Sequence, residues 1–170
     1  MKALIVEDEL LARVGMRSLI NWEEMGISLL EDAQDGKEAL KRIETEQPDI
    51  ILLDLNIPEI SGLELLKIIR GRHLPIKTVV VSCYDDFDTV KEAMKLGAVD
   101  YIRKFGLSRE ELTATLSNLA QIPEHTEKSV AQAGFEIRER VQNIPVEFRT
   151  GCCLSIYMLS KYSEELEDMK

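Results

Sequence analysis

The amino-acid sequence predicts an α/β fold, in which the strands of a parallel sheet alternate with helices. Two observations support this prediction. Short apolar runs such as 50–53 are typical of strands that are buried on both faces of a sheet. Between these runs lie segments of about 10–15 residues with helical periodicity, separated by glycine and proline. The strand–helix unit recurs five times within about 119 residues.

Three of the five units occupy the first 72 residues. They are strand 2–6 with helix 10–20, strand 27–33 with helix 37–46, and strand 49–54 with a helix that ends near residue 72. The second strand is the least continuous in apolar character, which predicts a position at an edge of the sheet. In the first helix, Leu11, Val14 and Ser18 are predicted on one side, and Arg13 and Arg17 on the other.

The last two units are strand 77–82 with helix 87–96, and strand 99–103 with a helix that ends near residue 119. Ser61 with Glu64, and Ser108 with Glu111, have the spacing of a capping box at the start of the third and fifth helices. Because crossovers between parallel strands are right-handed, these units predict a doubly wound, five-stranded parallel sheet. We therefore predict a flavodoxin-like (βα)5 domain over residues 1–119.

A change of character predicts a separate segment, 120–170, which we interpret as a helical linker or extension. Polar, helix-prone stretches are predicted at 126–143 and 154–167. Two interpretations stay open. Either these helices pack on the domain or on each other, or they form a dimerising linker ahead of an output domain that the chain does not contain.

The composition argues against two classes of protein. A net charge of −10 and a pI of about 4.8 disfavour a nucleic-acid-binding surface, because phosphate contacts need clustered lysine and arginine. No apolar run approaches the roughly 18 residues of a membrane span, so no membrane contact is expected. Cys83, Cys152 and Cys153 lack the spacing of a disulfide framework, which predicts a reduced, cytoplasmic protein.

Chemically reactive side chains follow four of the five predicted strands. Glu7 and Asp8 come after the first strand, Asp54 after the third, Ser82 ends the fourth, and Lys104 follows the fifth. Binding sites of open α/β sheets lie beyond the carboxyl ends of their strands. We therefore expect these side chains to converge in one crevice.

Three convergent carboxylates repel one another, and either a divalent cation or a lysine would relieve that repulsion. Oxygen ligands favour Mg²⁺. Together with Lys104 and Ser82, the acids suit phosphoryl transfer to a carboxylate, with Asp54 as the nucleophile. Each residue alone has an ordinary explanation as a turn residue, a helix cap or a solvated lysine. The agreement of four strand ends is what favours a functional site.

These residues resemble the receiver domains of two-component response regulators, over about residues 1–119. The matching stretches are Val6-Glu7-Asp8-Glu9, residues 48–58 (PDIILLDLNIP), Ser61-Gly62-Leu63, Val81-Ser82, and Leu96-Gly97-Ala98-Val99-Asp100-Tyr101 with Lys104. The resemblance implies that Asp54 is the phosphoacceptor and that a sensor histidine kinase donates the phosphoryl group from a phosphohistidine.

The resemblance also implies a ligand set for Mg²⁺. Asp8, Asp54 and the backbone carbonyl of Asn56 would bind the ion, and Glu7 would help through water. Lys104 would pair with the phosphoryl oxygens. Such a protein is not an enzyme in the usual sense, because it catalyses only its own phosphorylation and dephosphorylation.

A switch is implied as well. Ser82 would move to meet the phosphoryl group, and Tyr101 would turn inward behind it. The face formed by the fourth helix, fifth strand and fifth helix would then change its partner preference, and a homodimer is expected to form and control transcription.

A finer resemblance is to the receivers that precede an AraC-type DNA-binding domain. It lies in Ile20-Asn21-Trp22 with Gly26, and in Ser82-Cys83-Tyr84-Asp85-Asp86-Phe87. DNA would then be bound only through such an output domain, which residues 120–170 do not match.

One departure from the family pattern follows Lys104, where Phe105 replaces the usual proline. A cis peptide bond before a residue other than proline costs about 3 kcal/mol, so a trans bond is expected, and Gly106 could absorb the change in loop shape. This departure keeps open a phosphorylation-independent receiver that acts as an interaction module. An aspartyl phosphatase of this fold is disfavoured because Asn56 stands where a second aspartate is needed. A flavodoxin-like cofactor binder is disfavoured because no phosphate-binding loop follows the first strand.

Overall fold

The structure, a computed structural model, describes residues 1–83 and 87–121 of the 170-residue chain. The helices predicted at 126–143 and 154–167, Cys152 and Cys153, and residues 84–86 lie outside the described residues. Strands and helices alternate in the order β1 (Lys2–Val6), α1 (Leu10–Leu19), β2 (Ser28–Leu29), α2 (Gly36–Glu46), β3 (Ile50–Leu53), α3 (Gly62–Gly71), β4 (Lys77–Ser82), α4 (Phe87–Lys95), β5 (Ala98–Arg103) and α5 (Arg109–Gln121). None of the helices in these ranges is both long and apolar enough to cross a bilayer.

The five strands form one parallel sheet in the order β2-β1-β3-β4-β5. In the central strand β3, Leu53 is paired in register with Val6 of β1 and Val80 of β4. The strand order reverses between β1 and β3, and in open α/β sheets a crevice forms at such a point, beyond the carboxyl ends of the strands. The predicted doubly wound, five-stranded parallel sheet is confirmed.

Helices cover both faces of the sheet. Alternate residues of a strand point to opposite sides, so each strand packs against both layers of helices. Ile51 and Leu53 pack with buried residues of α2, α3 and α4. Ile50 and Leu52 pack with buried residues of α1 and α5. All four residues of β3 are completely buried, as the continuous apolar run predicted.

The helix α1 does not bury the side that carries Leu11 and Val14. Ala12 and Met16 are buried, whereas Leu11 and Val14 are 53% and 52% exposed. Arg13, predicted on the side away from Leu11 and Val14, is only 7% exposed. Apolar residues occur on more than one side of this helix, so periodicity alone did not identify the side that packs. Met16 packs with the core, and Arg13 is buried while it donates to the backbone that follows β1.

β2 is much shorter than the predicted strand 27–33. Beyond its two paired residues, a single bridge joins Ala33 to Val6. Between them, Arg17 of α1 donates to the carbonyl oxygen of Leu30 at 3.1 Å. The Arg17 side chain thus binds a carbonyl oxygen just beyond β2. The predicted edge position of β2 is confirmed.

Side-chain caps begin α3 and α5 as the sequence predicted. At α3, the Glu64 N–H donates to Ser61 Oγ at 3.3 Å, and the Ser61 N–H donates to Glu64 Oε2 at 3.0 Å. At α5, the Glu111 N–H donates to Ser108 Oγ at 3.1 Å. These bonds satisfy donors that would otherwise lack a partner in the first turn of a helix.

The start of α3 packs directly behind the end of β3. A Cβ atom added at Gly62 would lie 2.4 Å from the carbonyl oxygen of Asp54, well inside van der Waals contact. The Gly62 N–H donates to the carbonyl oxygen of Leu55 at 3.1 Å. Glycine therefore allows the helix and the loop after β3 to meet.

Candidate functional site

An acidic crevice lies at the carboxyl edge of the sheet, between β1 and β3. Glu7 and Asp8 directly follow β1, and Asp54 directly follows β3; one carboxylate oxygen of each lies within 4.8 Å of the other two. Glu7 and Asp54 are buried, whereas Asp8 is exposed. The structure thus brings together the acids that the sequence predicted to converge.

Lys104 supplies positive charge to this crevice. Its ammonium group donates to Asp54 Oδ2 and lies 2.5 Å from Glu7 Oε2. Burial alone would lower the pKa of Lys104, but the facing carboxylates of Asp54 and Glu7 raise it above its ordinary value. The charged form is therefore favoured, and the side chain acts as a buried cation.

The two carboxylate oxygens of Glu7 have different partners. Its Oε1 accepts the backbone N–H of Glu9 at 3.1 Å. Its Oε2 is buried, has no hydrogen bond of good geometry, and is held by the ion pair with the Lys104 ammonium at 2.5 Å. Burial raises the pKa of Glu7 to about 7, against the opposing effect of Lys104. A buried acceptor of this kind beside two further carboxylates suits a divalent cation.

The carboxylate of Asp54 is held through both of its oxygens. Oδ2 accepts from Lys104, and Oδ1 accepts the backbone N–H of Asn56 at 3.2 Å. The Asp54 N–H continues the sheet by donating to the carbonyl oxygen of Val6 at 2.9 Å. Asn56 therefore lies next to the acids, and the oxygen donors of this neighbourhood fit Mg²⁺.

Ser82 and Tyr101 are linked to this crevice through backbone contacts. Ser82 ends β4 and is completely buried. Its carbonyl oxygen accepts the Lys104 N–H at 3.1 Å and the Tyr101 hydroxyl at 3.4 Å. Tyr101 is buried and packs with the residues that cover the α2–α4 face of the sheet. The five strand-end residues and Tyr101 thus belong to one connected region.

The sequence model of the response regulator receiver domain family matches residues 3–117, which is more than half of the chain. The chain belongs to this family. The prediction made from the motif residues is therefore confirmed at the level of the receiver domain.

Relatives and solved structures agree with this assignment. The chain is 38% identical over 103 residues to the uncharacterized transcriptional regulatory protein YesN of Bacillus subtilis, and 33% identical over 103 residues to the transcriptional regulatory protein HptR of Staphylococcus aureus. Each match covers 61% of this chain, but only 28% and 40% of the respective relative. The chain therefore spans less than half the length of these relatives.

Among solved structures, the receiver domain of AraT, a response regulator from Geobacillus stearothermophilus, superposes with a TM-score of 0.62 and 29% identity, covering 82% of this chain and 96% of that one. A DNA-binding response regulator of the LuxR family from Staphylococcus aureus superposes with a TM-score of 0.62 and 28% identity, covering 69% of this chain and 97% of that one.

This receiver domain accommodates Phe105 without losing the position of Lys104. The residues that the structure describes contain no cis peptide bond, so the bond before Phe105 is trans, as predicted. Gly106 has a φ of +79°, a conformation that glycine adopts easily, and the Leu107 N–H donates back to the Lys104 carbonyl oxygen at 3.3 Å. A tight turn thus follows Lys104 and leaves its ammonium in the crevice.

Arg13 is a residue of the receiver site that the sequence interpretation missed. Its Nη1 donates to the carbonyl oxygens of Glu7 and Asp8, in both cases at 2.7 Å. The helical pattern placed Arg13 only on the side of α1 away from Leu11 and Val14, with no role in the site. The signal that could have found it is an arginine one turn into the helix that follows two adjacent acids, within reach of their backbone.

Proposed function

We propose that this receiver domain accepts a phosphoryl group on Asp54 from the phosphohistidine of a sensor histidine kinase, with Mg²⁺ as cofactor. The observation that carries the proposal is the arrangement around Asp54. The carboxylate is buried at the end of β3, one oxygen receives the Lys104 ammonium, and the carboxylates of Glu7 and Asp8 lie within 4.8 Å. This is the set of groups that phosphoryl transfer to a carboxylate requires.

In the proposed reaction, an Asp54 oxygen forms a bond to phosphorus while the phosphorus–nitrogen bond of the phosphohistidine breaks, and the imidazole nitrogen keeps the electron pair. Lys104 already contacts Asp54, so its charge is in place to pair with a phosphoryl oxygen as the new bond forms. Mg²⁺, held by Asp8, Asp54 and the Asn56 backbone carbonyl with help from Glu7, would neutralise phosphoryl charge. The domain catalyses only its own phosphorylation and dephosphorylation.

We propose further that phosphorylation switches the face formed by α4, β5 and α5. Phosphorylation adds negative charge at Asp54, which contacts Lys104, and the carbonyl oxygen of Ser82 accepts both the Lys104 N–H and the Tyr101 hydroxyl. A shift of Ser82 towards the phosphoryl group is therefore transmitted to β5. The expected consequence is homodimerisation through this face.

The output that we propose is transcriptional control. YesN and HptR are transcriptional regulatory proteins by name. We assign DNA contacts to a separate, AraC-type output domain, because the net charge of −10 disfavours DNA binding by this chain. Residues 120–170 would act as a helical linker beyond the domain at 1–119, and the protein would work in the cytoplasm.

The test is phosphorylation by acetyl phosphate with Mg²⁺, followed by intact-protein mass spectrometry. Wild type should gain one phosphoryl group, and Asp54→Ala should gain none. Asp49→Ala is the matched control, because Asp49 precedes the same strand at its other end and is exposed. This variant should react like the wild type. A wild type that gains no phosphoryl group, or an equal gain in Asp54→Ala, would refute the proposal and favour a phosphorylation-independent interaction module.

A further inference from the structure

A buried arginine contacts the backbone of the acidic crevice. Arg13, in the first turn of α1, is 7% exposed although its side chain is charged. A buried guanidinium is costly unless its donors find acceptors. Here Nη1 donates to the carbonyl oxygens of Glu7 and Asp8, each at 2.7 Å, a short distance typical of a charged donor.

These two hydrogen bonds act on the residues that carry the acids. Two consecutive carbonyl oxygens that face one nitrogen atom restrict the rotation of the Glu7–Asp8 peptide. They thereby fix the directions in which both side chains leave the backbone. The Glu9 N–H also restricts this segment, by donating to Glu7 Oε1 at 3.1 Å.

The choice of acceptors also matters for the charge of the crevice. Because Nη1 of Arg13 binds carbonyl oxygens, it takes up no carboxylate oxygen of Glu7 or Asp8. Among the described residues Arg13 forms no ion pair with either acid, so it acts on them through their backbone. The guanidinium thus orders the acids without competing for their oxygens.

We propose that Arg13 is a positioning residue of the divalent-cation site, which holds the Glu7–Asp8 peptide so that both carboxylates face the cation. This inference rests on the proposed function, since it takes Mg²⁺ to be bound by these acids. Arg13 acts through Glu7 and Asp8 and touches neither the cation nor the phosphoryl group.

The test compares Mg²⁺ binding to the full chain by isothermal titration calorimetry, with no phosphodonor present. Arg13→Met retains most of the side-chain length and removes both the charge and the donors. We expect Mg²⁺ to bind this variant about 10- to 100-fold more weakly, the usual effect of losing a group that orients metal ligands. At saturating Mg²⁺, its phosphorylation rate with acetyl phosphate should return to within about threefold of the wild-type rate.

Arg17→Met is the matched control, because Arg17 lies one turn further along α1 and its guanidinium donates to Asp32 and to the carbonyl oxygen of Leu30 rather than to Glu7 or Asp8. Its Mg²⁺ affinity should equal that of the wild type. Metal-free Arg13→Met should also exchange the amides of residues 7–9 faster than Arg17→Met does, at a comparable thermal midpoint. A merely structural role would instead alter the midpoint and leave the affinity of the folded protein unchanged.

Unchanged Mg²⁺ affinity in Arg13→Met, or an equal loss in Arg17→Met, would overturn the inference while leaving the proposed function intact. A wild type that binds no Mg²⁺ would instead refute the proposed function itself. Should Arg13→Met fail to fold, Arg13→Lys takes its place. The lysine ammonium ends about one bond short of the Arg13 Nη1, so both hydrogen bonds should weaken and affinity should fall about threefold or more; unchanged affinity would overturn the inference.

Discussion

Lys104 allows two buried carboxylates to coexist in the receiver domain. Taking an ion out of water costs several kcal/mol unless it is paired, and the Lys104 ammonium contacts both Glu7 and Asp54. The same lysine would have to turn towards a phosphoryl oxygen after phosphorylation. The stability of the domain and its proposed function therefore both depend on Lys104. A bound cation would also neutralise the two carboxylates.

We expect Lys104→Met to lower the free energy of unfolding of the metal-free protein by about 3–5 kcal/mol, because the buried carboxylates lose their partner. Mg²⁺ should restore part of this loss, since it neutralises the same charges. Urea unfolding with and without Mg²⁺ measures both effects. Lys37→Met is the control, because Lys37 forms an exposed ion pair with Glu59 and should matter little. Equal losses in the two variants would contradict the prediction.

Glu7 should make the stability of the metal-free domain dependent on pH. Burial raises its pKa from 4.5 to about 7, so between these values the folded state binds more protons than the unfolded state. The contribution of Glu7 to stability is therefore present below about pH 4.5 and is lost as the pH rises through about 7. In Glu7→Gln, which resembles the protonated form, this decline should be absent.

Urea midpoints measured in the presence of a chelator, across this pH range, test the role of Glu7. Other acids titrate as well, so the informative quantity is the difference between wild type and Glu7→Gln. A constant difference across the range would show that Glu7 does not titrate as the structure indicates.

The helix α3 positions Asp54 through a contact with its backbone, where a Cβ on Gly62 would lie 2.4 Å from the Asp54 carbonyl oxygen. The capping box of Ser61 and Glu64 fixes the first turn of the same helix. The end of β3 and the start of α3 therefore pack together. We expect a displacement of α3 to shift the backbone carbonyl group of Asp54.

We expect Gly62→Ala to destabilise the domain by about 1–3 kcal/mol, because the new methyl group overlaps backbone atoms that can move only together with the site. Gly71, at the other end of α3, is the matched control, since an added Cβ there meets nothing within 4 Å. Gly71→Ala should be neutral or stabilising by about 0.4–1 kcal/mol. Urea unfolding of both variants measures the contrast, and similar effects at the two glycines would contradict it.

The strand pattern and the convergence of the acids could be predicted because each follows from local features. The apolar run at β3 identifies a buried strand, and the carboxyl ends of parallel strands meet at one edge. The orientation of α1 and the length of β2 were less predictable. At α1 and β2, Arg13 donates to the carbonyl oxygens of Glu7 and Asp8, and Arg17 donates to that of Leu30. Such contacts leave no periodic signal, and the same reason hid Arg13 from the predicted site.

The two faces of the sheet predict where a phosphorylation response should be seen. Tyr101 and the buried residues of α4 pack on one face, whereas Trp22, the single tryptophan of the chain, packs on the other with α1 and α5. Trp22 also follows α1 and precedes β2, which places it at the amino edge of the sheet, opposite the acidic crevice. Because α5 belongs to the proposed dimer face and also packs with Trp22, a switch that acts through Ser82 and Tyr101 should change the surroundings of Trp22 less than those of Tyr101.

We expect Mg²⁺ with beryllofluoride, a phosphoryl mimic, to alter amide exchange in α4 and β5 and to increase the dimer fraction in sedimentation, with little change in tryptophan fluorescence. The physical reason is that the added charge faces Lys104, whose backbone N–H and the Tyr101 hydroxyl both donate to the carbonyl oxygen of Ser82. Asp54→Ala should show neither change under the same conditions. A dimer that forms equally in Asp54→Ala would show that oligomerisation is independent of Asp54. A response spread evenly over both faces of the sheet would contradict a switch that acts through the β4–β5 contacts.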